Sequence, residues 1–230
     1  MLLSGCTTVV DPNEPEIIRC VKYGNYRRVK EIVDSDQSLA NFKRDDGVHL
    51  LYFAAANDNA DIVSYLIDSG AEIDGSNALH IATRNECLPV VRLLVEAGAD
   101  VDLPDEWQPP LHYTMLHKKA FVTEYLIDHA ASVSATNYRG RTALHDCKSH
   151  EVARVLIDHG ADVNAVDDSG DTPLHVAANP RQIVDRATIT LLLEKGGDLS
   201  LTNNEGFTPR QLARRNEQHE LLRVLDDLAR

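Results

Sequence analysis

Residues 172–177 read Thr-Pro-Leu-His-Val-Ala, and this short stretch decides the fold. Close copies stand at residues 77–82 (Asn-Ala-Leu-His-Ile-Ala) and 142–147 (Thr-Ala-Leu-His-Asp-Cys). A looser copy at residues 109–114 (Pro-Pro-Leu-His-Tyr-Thr) keeps the Leu-His pair. Self-similarity at a period of roughly 20 to 50 residues is the mark of a repeat architecture. The sequence therefore predicts a repeat protein.

A second motif follows the Leu-His motif in each repeat. Residues 90–102 read Val-Val-Arg-Leu-Leu-Val-Glu-Ala-Gly-Ala-Asp-Val-Asp, and similar runs occupy residues 65–74 and 155–164. Apolar side chains at helical spacing predict a helix here, and Gly98 supplies the left-handed residue that commonly ends one. In the first motif, Thr172 can cap a helix that begins at Pro173, where a missing N–H costs nothing. Each unit is therefore predicted to be a helix-turn-helix.

The two motifs together resemble the ankyrin repeat, a unit of about 33 residues. Degenerate copies anchored at Ile17, Leu51 and Arg210 extend the array over residues 14–230. The resemblance implies an all-α fold, an ankyrin-repeat solenoid of about seven helix-turn-helix units with short β-hairpin fingers. One unit cannot bury its apolar face alone, so neighbouring units are expected to stack. The polar last unit, with Arg214, Arg215 and Glu217, suits an exposed end.

Residues 1–13 precede the repeats and carry a possible processing signal. Leu3-Ser4-Gly5-Cys6 matches the lipobox at which bacterial lipoproteins are cut and lipidated on the cysteine. A working signal needs a basic region and an apolar stretch of roughly 7 to 15 residues before the cut. Only Met1 and Leu2 stand there. Two explanations remain open: residues 1–13 are a truncated signal and tether with lipidation at Cys6, or the match is accidental.

The charge of the chain limits the classes of partner. The formal net charge is -13 over 230 residues, with 36 acidic and 23 basic side chains. Nucleic acid and anionic lipid headgroups are bound by clustered Lys and Arg, so neither is expected as a partner. An acidic surface favours a basic protein partner, although it also simply promotes solubility. No apolar run approaches the roughly 20 residues of a membrane-spanning helix.

The residue types that carry chemistry are explained by the repeats. His80, His112, His145 and His175 recur with the repeat and are predicted to bond the backbone of the adjoining finger. Zinc at His145, Cys147 and His150 is not expected, because structural zinc normally has four ligands at paired spacings. Cys20, Cys87 and Cys147 lie in non-adjacent repeats and are predicted to be buried free thiols. We therefore expect no enzyme, no metal and no cofactor.

Three irregularities break the repeat pattern. The connection from Ile73 to Leu79 is about five residues shorter than that from Val163 to Leu174, which predicts a blunted finger. About three residues are missing after Leu144, and about three are added at residues 179–185, which are predicted to protrude. Neutral variation explains these changes as well as function does, because loops tolerate changes of length.

Candidate contact residues lie at finger tips and at first-helix ends. Trp107 is the only tryptophan and stands where a finger normally has its turn glycine. Exposed Trp, Tyr and Arg dominate interface energetics, so Trp107 and Tyr138 rank first; the alternative is that the Trp107 ring packs over a neighbouring repeat as local core. The further candidates are Arg139, Arg141, Asp168, Ser169, Asp171, Asn204, Glu205 and Phe207 on fingers, and, from the family's concave face, Lys22, Tyr23, Asn57, Arg84, Asn85, His117, His150 and Asn179.

The sequence thus predicts a module that binds another protein through its fingers and concave helix face, and that is a monomer when unbound. If the lipobox is genuine, the location is the bacterial periplasm, with an outer-membrane anchor at Cys6. A role as inhibitor or immunity protein against a toxin or lytic enzyme then becomes open. The alternative is a cytoplasmic adaptor or a host-directed effector, which the unpaired cysteines favour.

Overall fold

The computed structural model describes residues 14–116, 120–179 and 184–228. These residues form fourteen α-helices, which pair consecutively into seven units, and no β-strand. The helices are α1 (Glu16–Lys22), α2 (Tyr26–Ser35), α3 (Leu50–Ala56), α4 (Ala60–Asp68), α5 (Ala78–Arg84), α6 (Leu88–Glu96), α7 (Pro110–Tyr113), α8 (Phe121–Asp128), α9 (Ala143–Asp146), α10 (His150–Asp158), α11 (Pro173–Ala177), α12 (Arg186–Glu194), α13 (Pro209–Arg215) and α14 (His219–Leu228). The predicted all-α stack is confirmed, and the predicted segment 1–13 with Cys6 lies outside the described residues.

The local signals in the sequence start and stop the helices as predicted. Thr172 is the extended residue before α11, and Pro173 is the first helical residue. The N–H of Thr172 donates to Nδ1 of His175 at 3.2 Å, and the Thr172 hydroxyl lies 2.9 Å from the same atom. At the other end of a unit, Gly98 follows α6 with φ +93°, a conformation that residues with a Cβ rarely adopt.

The units stack side by side and share one core. The first helix of one unit contacts the first helix of the next, for example α3 with α5 and α11 with α13. The second helices contact each other in the same way, for example α4 with α6 and α10 with α12. The leucine of the Leu-His motif is buried at Leu79, Leu111, Leu144 and Leu174. Because these side chains lie between neighbouring pairs, each pair completes the core of the next.

The repeat histidines tie each unit to the finger that follows it. In four successive repeats Nε2 of the histidine lies 2.9 or 3.0 Å from a carbonyl oxygen of the next connection. The pairs are His80 with Leu103, His112 with Arg141, His145 with Asp171, and His175 with Phe207. This confirms the predicted role of the histidines.

The fingers are tight turns that bond to one another in a ladder. We name five: the first finger (residues 43–49), the Trp107 finger (105–109), the Tyr138 finger (136–142), the Asp168 finger (167–171) and the last finger (203–207). Isolated antiparallel bridges, Lys43 with His49 and Thr136 with Thr142, replace the predicted β-hairpins in two of them. Backbone bonds of 3.0 to 3.1 Å join the last four fingers: Tyr138 N–H to Trp107 O, Asp168 N–H to Arg139 O, and Asn204 N–H to Ser169 O.

One finger is missing between α4 and α5, as the short connection predicts. A single 3-10 turn, Asp74–Ser76, replaces it, and Asn77 leads into α5 with φ +55°. The deletion after Leu144 leaves α9 only four residues long. Of the predicted protruding insertion at residues 179–185, residues 180–183 lie outside the described part of the chain.

The cysteine prediction needs one correction. Cys87 and Cys147 are buried free thiols, but Cys20 is only partly buried, because its helix α1 packs mainly against α2 and α3 among the described helices. Burial raises the pKa of Cys87 to about 11 and that of Cys147 to about 12. Among the described residues, no helix is both long and apolar enough to cross a lipid bilayer.

Burial of the repeat histidines predicts a loss of stability in mild acid. Burial lowers the pKa of His80, His112 and His145 from the usual 6.5, so the unfolded chain takes up protons first. Their contribution is therefore complete above pH 6.5 and is lost as the pH falls through the lowered folded pKa values. We expect the free energy of unfolding in urea to fall by on the order of 1 kcal/mol from pH 7.5 to 5.5.

The variant His145→Gln is expected to show a smaller fall over the same interval, since the amide can replace the bond to Asp171 without titrating. His159→Gln, at an exposed position at the end of α10, is the control. Equal falls in the wild type and both variants would contradict this explanation.

Candidate protein-binding surface

Two exposed aromatic rings meet on neighbouring fingers. Trp107 and Tyr138 are each 55% exposed, and their ring centroids lie 5.4 Å apart in an edge-to-face arrangement of 78°. The backbone bond between the same two residues fixes their spacing. The guanidinium of Arg139 lies 5.0 Å from the centre of the Tyr138 ring. The Trp107 ring therefore lies on the surface. The alternative interpretation of the sequence, in which the ring is part of the local core, is wrong.

Asp105 shapes the Trp107 finger. Its carboxylate accepts the backbone N–H groups of Trp107 at 2.8 Å and Gln108 at 2.9 Å, and the hydroxyl of Tyr113 at 2.5 Å. Burial alone would raise the pKa of Asp105, but these hydrogen bonds outweigh it and hold the pKa below its usual value. Burial, followed by the bond to Asp105, raises the pKa of Tyr113. A charged carboxylate with a neutral phenol therefore supports the turn at neutral pH.

A hollow of about 250 Å³ lies where the finger between α4 and α5 is missing. It is smaller than the roughly 300 to 1,000 Å³ typical of drug-sized ligands, and suits a single side chain of a partner. Its walls combine aromatic, polar and charged groups: Tyr52, Asn77, His80, Ile81, Arg84, Asp105, Trp107 and Tyr113.

His80 in this hollow has an unmet hydrogen-bonding atom. The residue is only 6% exposed, and within the described residues its Nδ1 has no partner. In His145 and His175 the same atom accepts the N–H of a preceding threonine. At the equivalent position before α5 stands Asn77 in a left-handed conformation, so this bond is absent.

The other predicted contact residues have different roles in the structure. Arg141 is largely buried and bonds Asp146 at 3.1 Å and Asp167 at 2.9 Å, so it supports the fingers from below. Asp171 accepts the side-chain amide of Asn203, and Phe207 is partly covered by Arg215. Arg139, Asp168 and Tyr23 are exposed, and Arg84 is exposed at the rim of the hollow. His117 lies outside the described residues.

The structure groups some of these residues and separates others. Trp107, Tyr138, Arg139 and Asp168 form one continuous finger edge, whereas Tyr23 lies at the end of α1, in a unit that the missing finger separates from this edge. Sequence reasoning missed Tyr52 and Tyr113 as residues of the hollow. The available signal was weak: Tyr113 follows the Leu-His pair at the position that holds Ile81 or Val176 elsewhere.

The histidines and acidic residues are engaged in bonds within the fold. His145 bonds Thr142 and Asp171, and His150 Nδ1 lies 3.3 Å from the carbonyl oxygen of Ala187. In the part of the chain that the structure describes, no group of three or more His, Cys, Asp or Glu side chains is placed to hold a metal ion.

Comparisons with known proteins agree with this arrangement. A family model described as ankyrin repeats (3 copies) matches residues 17–105 and 104–167, and a model described as ankyrin repeat matches residues 169–204. These matches cover well over half of the 230 residues. A search of curated protein sequences gives no match.

Two solved structures are similar in fold. The ankyrin repeat domain of Bcl-3, described as a unique member of the IkappaB protein family, is 22% identical with a TM-score of 0.74; the match covers 94% of this chain and 100% of that one. The human ASB11 ankyrin repeat domain is 21% identical with a TM-score of 0.78, over 92% of this chain and 98% of that one. At these identities the likeness shows the fold.

Arg141 and Arg139 differ in burial, and this difference predicts their effects on stability. Arg141→Ala leaves the carboxylate of Asp167, only 2% exposed, without its cationic partner. We expect a loss of about 2 kcal/mol in the free energy of unfolding, because a buried charge retains only its backbone bonds. Arg139→Ala, at an exposed position two residues away in the same finger, is expected to change stability little. Equal losses in urea unfolding would contradict the supporting role of Arg141.

Proposed function

Because the chain belongs to the ankyrin repeat family, whose repeats bind other proteins, we propose that it recognises a protein partner through its finger edge, with Trp107 and Tyr138 at the centre. The repeat fold is a binding scaffold without catalytic machinery of its own. The proposed contact surface continues from the fingers to the exposed first-helix ends, including Arg84. The unbound chain is proposed to be a monomer.

The exposed pair of aromatic rings carries this proposal. Trp and Tyr supply much of the binding energy at interfaces, since they bury large rigid surfaces and lose little conformational freedom. The backbone bond between Trp107 and Tyr138 and the turn held by Asp105 fix the rings before any partner arrives. Preorganisation of this kind lowers the entropic cost of association.

The charge of the chain favours a basic partner. With a formal net charge of -13, the protein attracts positively charged surfaces over a distance of about one Debye length. A toxin or lytic enzyme with a basic surface fits this description, which supports the more specific role of inhibitor or immunity protein. A cytoplasmic adaptor or host-directed effector is the second candidate, and the free cysteines favour it.

The two candidates differ in location, which one experiment separates. Full-length protein is expressed in bacteria with labelled palmitate, and membrane and soluble fractions are compared for the wild type and Cys6→Ala. Label on the wild type that is lost in the variant supports an outer-membrane lipoprotein facing the periplasm. Recovery of unlabelled protein in the cytoplasmic fraction supports the adaptor or effector.

Removal of either ring is expected to weaken binding without unfolding the protein. For Trp107→Ala and Tyr138→Ala we expect the dissociation constant of the isolated complex to rise by roughly 30-fold, as for hot-spot residues. The midpoint of thermal unfolding is expected to stay close to that of the wild type. The control is Phe121→Ala, which removes a ring with the same 55% exposure from α8, away from the fingers. Unchanged affinity in both finger variants, or a matching loss in the control, would refute the proposed surface.

A further inference from the structure

The ladder of fingers lacks one finger and therefore two rungs. In each rung, the N–H of a tip residue donates to a carbonyl of the preceding finger: Tyr138 to Trp107, Asp168 to Arg139, and Asn204 to Ser169. The internal bonds of the turns place Arg44 at the position of Asn137, so Asp45 corresponds to Tyr138 and Asp46 to Arg139. By the same bonds Glu106 is the donor position of the Trp107 finger. The finger that should lie between Asp46 and Glu106 is the missing one.

The atoms on both sides of this gap are unpaired. Within the described part of the chain, the backbone N–H of Glu106 donates no hydrogen bond, and the carbonyl of Asp46 accepts none. A peptide backbone entering the gap in the orientation of a finger would meet an acceptor on one side and a donor on the other. Exposed backbone edges are known docking sites for a partner's main chain.

The hollow lies at the same gap and offers room for side chains. Tyr52 belongs to the unit before the gap, while Trp107 and Tyr113 belong to the unit after it. His80 lines the wall of the hollow, and its buried Nδ1 has no partner among the described residues, as is also true of His112 in the next unit. The missing finger therefore leaves two unpaired backbone atoms and an open hollow at the same place.

The side chains that flank the gap define the chemistry of the occupant. A residue at the tip position would lie between Asp45 and Glu106, both exposed carboxylates. The next residue would lie beside the Trp107 ring, whose indole face stabilises a cation. The carboxylate of Asp46 is already paired with Arg44, so the attraction for a cation comes from Asp45, Glu106 and the indole ring. Arg84 lines the hollow, so the cations are expected at the fingers and not inside the hollow.

We infer that a loop of the partner protein carrying two consecutive basic residues replaces the missing finger and bonds Asp46 and Glu106 through its backbone. This inference rests on the proposed function, because it assigns the chemistry of the partner at the same finger edge. The first basic side chain pairs with Asp45 and Glu106, and the second lies against Trp107.

A cyclic peptide that presents Arg-Lys in a four-residue turn is the direct probe. Trp107 is the only tryptophan, so its fluorescence reports on this site alone. We expect saturable binding with a dissociation constant on the order of 0.1 to 1 mM, given the cost of association for so small a ligand. The backbone amide resonance of Glu106 should move most. Matched cyclic peptides with Ala-Ala or Glu-Glu in the turn are expected to bind at least about tenfold more weakly.

Two variants test the gap itself. In the first, residues 74–77 are replaced by a copy of residues 164–172 of the same chain, which restores a finger and places a threonine before Ala78. This variant should no longer bind the Arg-Lys peptide.

The second variant combines Asp45→Lys and Glu106→Lys at exposed positions, which leaves the fold intact. It should weaken the affinity for the Arg-Lys peptide by about tenfold or more. Equal binding of the Ala-Ala peptide, no movement of the Glu106 resonance at millimolar peptide, or retained affinity in the Lys variant would overturn the inference.

The same variants separate this inference from the proposed function. If the whole partner binds the finger-restored variant as tightly as the wild type but is lost with Trp107→Ala, the finger edge is the binding surface and the gap is not used. If the partner tolerates Trp107→Ala and Tyr138→Ala as well, the proposed binding surface fails. Loss of binding in both variants supports both proposals.

Discussion

Each helix pair in this chain completes the burial of its apolar face against the neighbouring pairs. Leu79, Leu111, Leu144 and Leu174 are buried between neighbours, and a pair on its own would expose them to water. Burial of a leucine side chain contributes about 1.5 to 3 kcal/mol, and no single pair contains enough such residues to offset its conformational entropy. The histidine bonds to the next finger join the same neighbours, so packing and hydrogen bonding both act between units. Stability therefore belongs to the interfaces between the pairs.

Because stability comes from the interfaces between the helix pairs, the finger edge is free for recognition. The core needs the leucines and the histidines, but it does not need the identity of a finger-tip side chain, so Trp107 and Tyr138 can stay exposed at little cost to stability. It also tolerates the loss of a whole finger between α4 and α5, because the stacking of α3 on α5 continues beneath the gap. A local deletion can therefore create a recessed site without disturbing the scaffold.

The sequence predicts the fold well because its signals are local and recur. The Thr-Pro start of α11 and the glycine after α6 follow from residues a few positions apart. The histidine bonds span 23 to 32 residues, but they recur with the repeat and are predictable for that reason. The candidate surface is only partly predictable. Trp107 and Tyr138 were identified from their residue types, but their contact depends on how two fingers align. The hollow with Tyr52 and Tyr113 brings together three units, and the buried pairing of Arg141 with Asp167 needs the three-dimensional packing.

Native-state hydrogen exchange in low guanidinium tests most directly the claim that stability lies between the pairs. If it does, the end units α1 with α2 and α13 with α14 should open first, and the amides of α6, α8 and α10 should exchange only through openings that include their neighbours. The account would be contradicted if the amides of α7 and α8 exchanged through an opening of that pair alone while α5, α6, α9 and α10 stayed protected. A pair would then unfold independently of its neighbours.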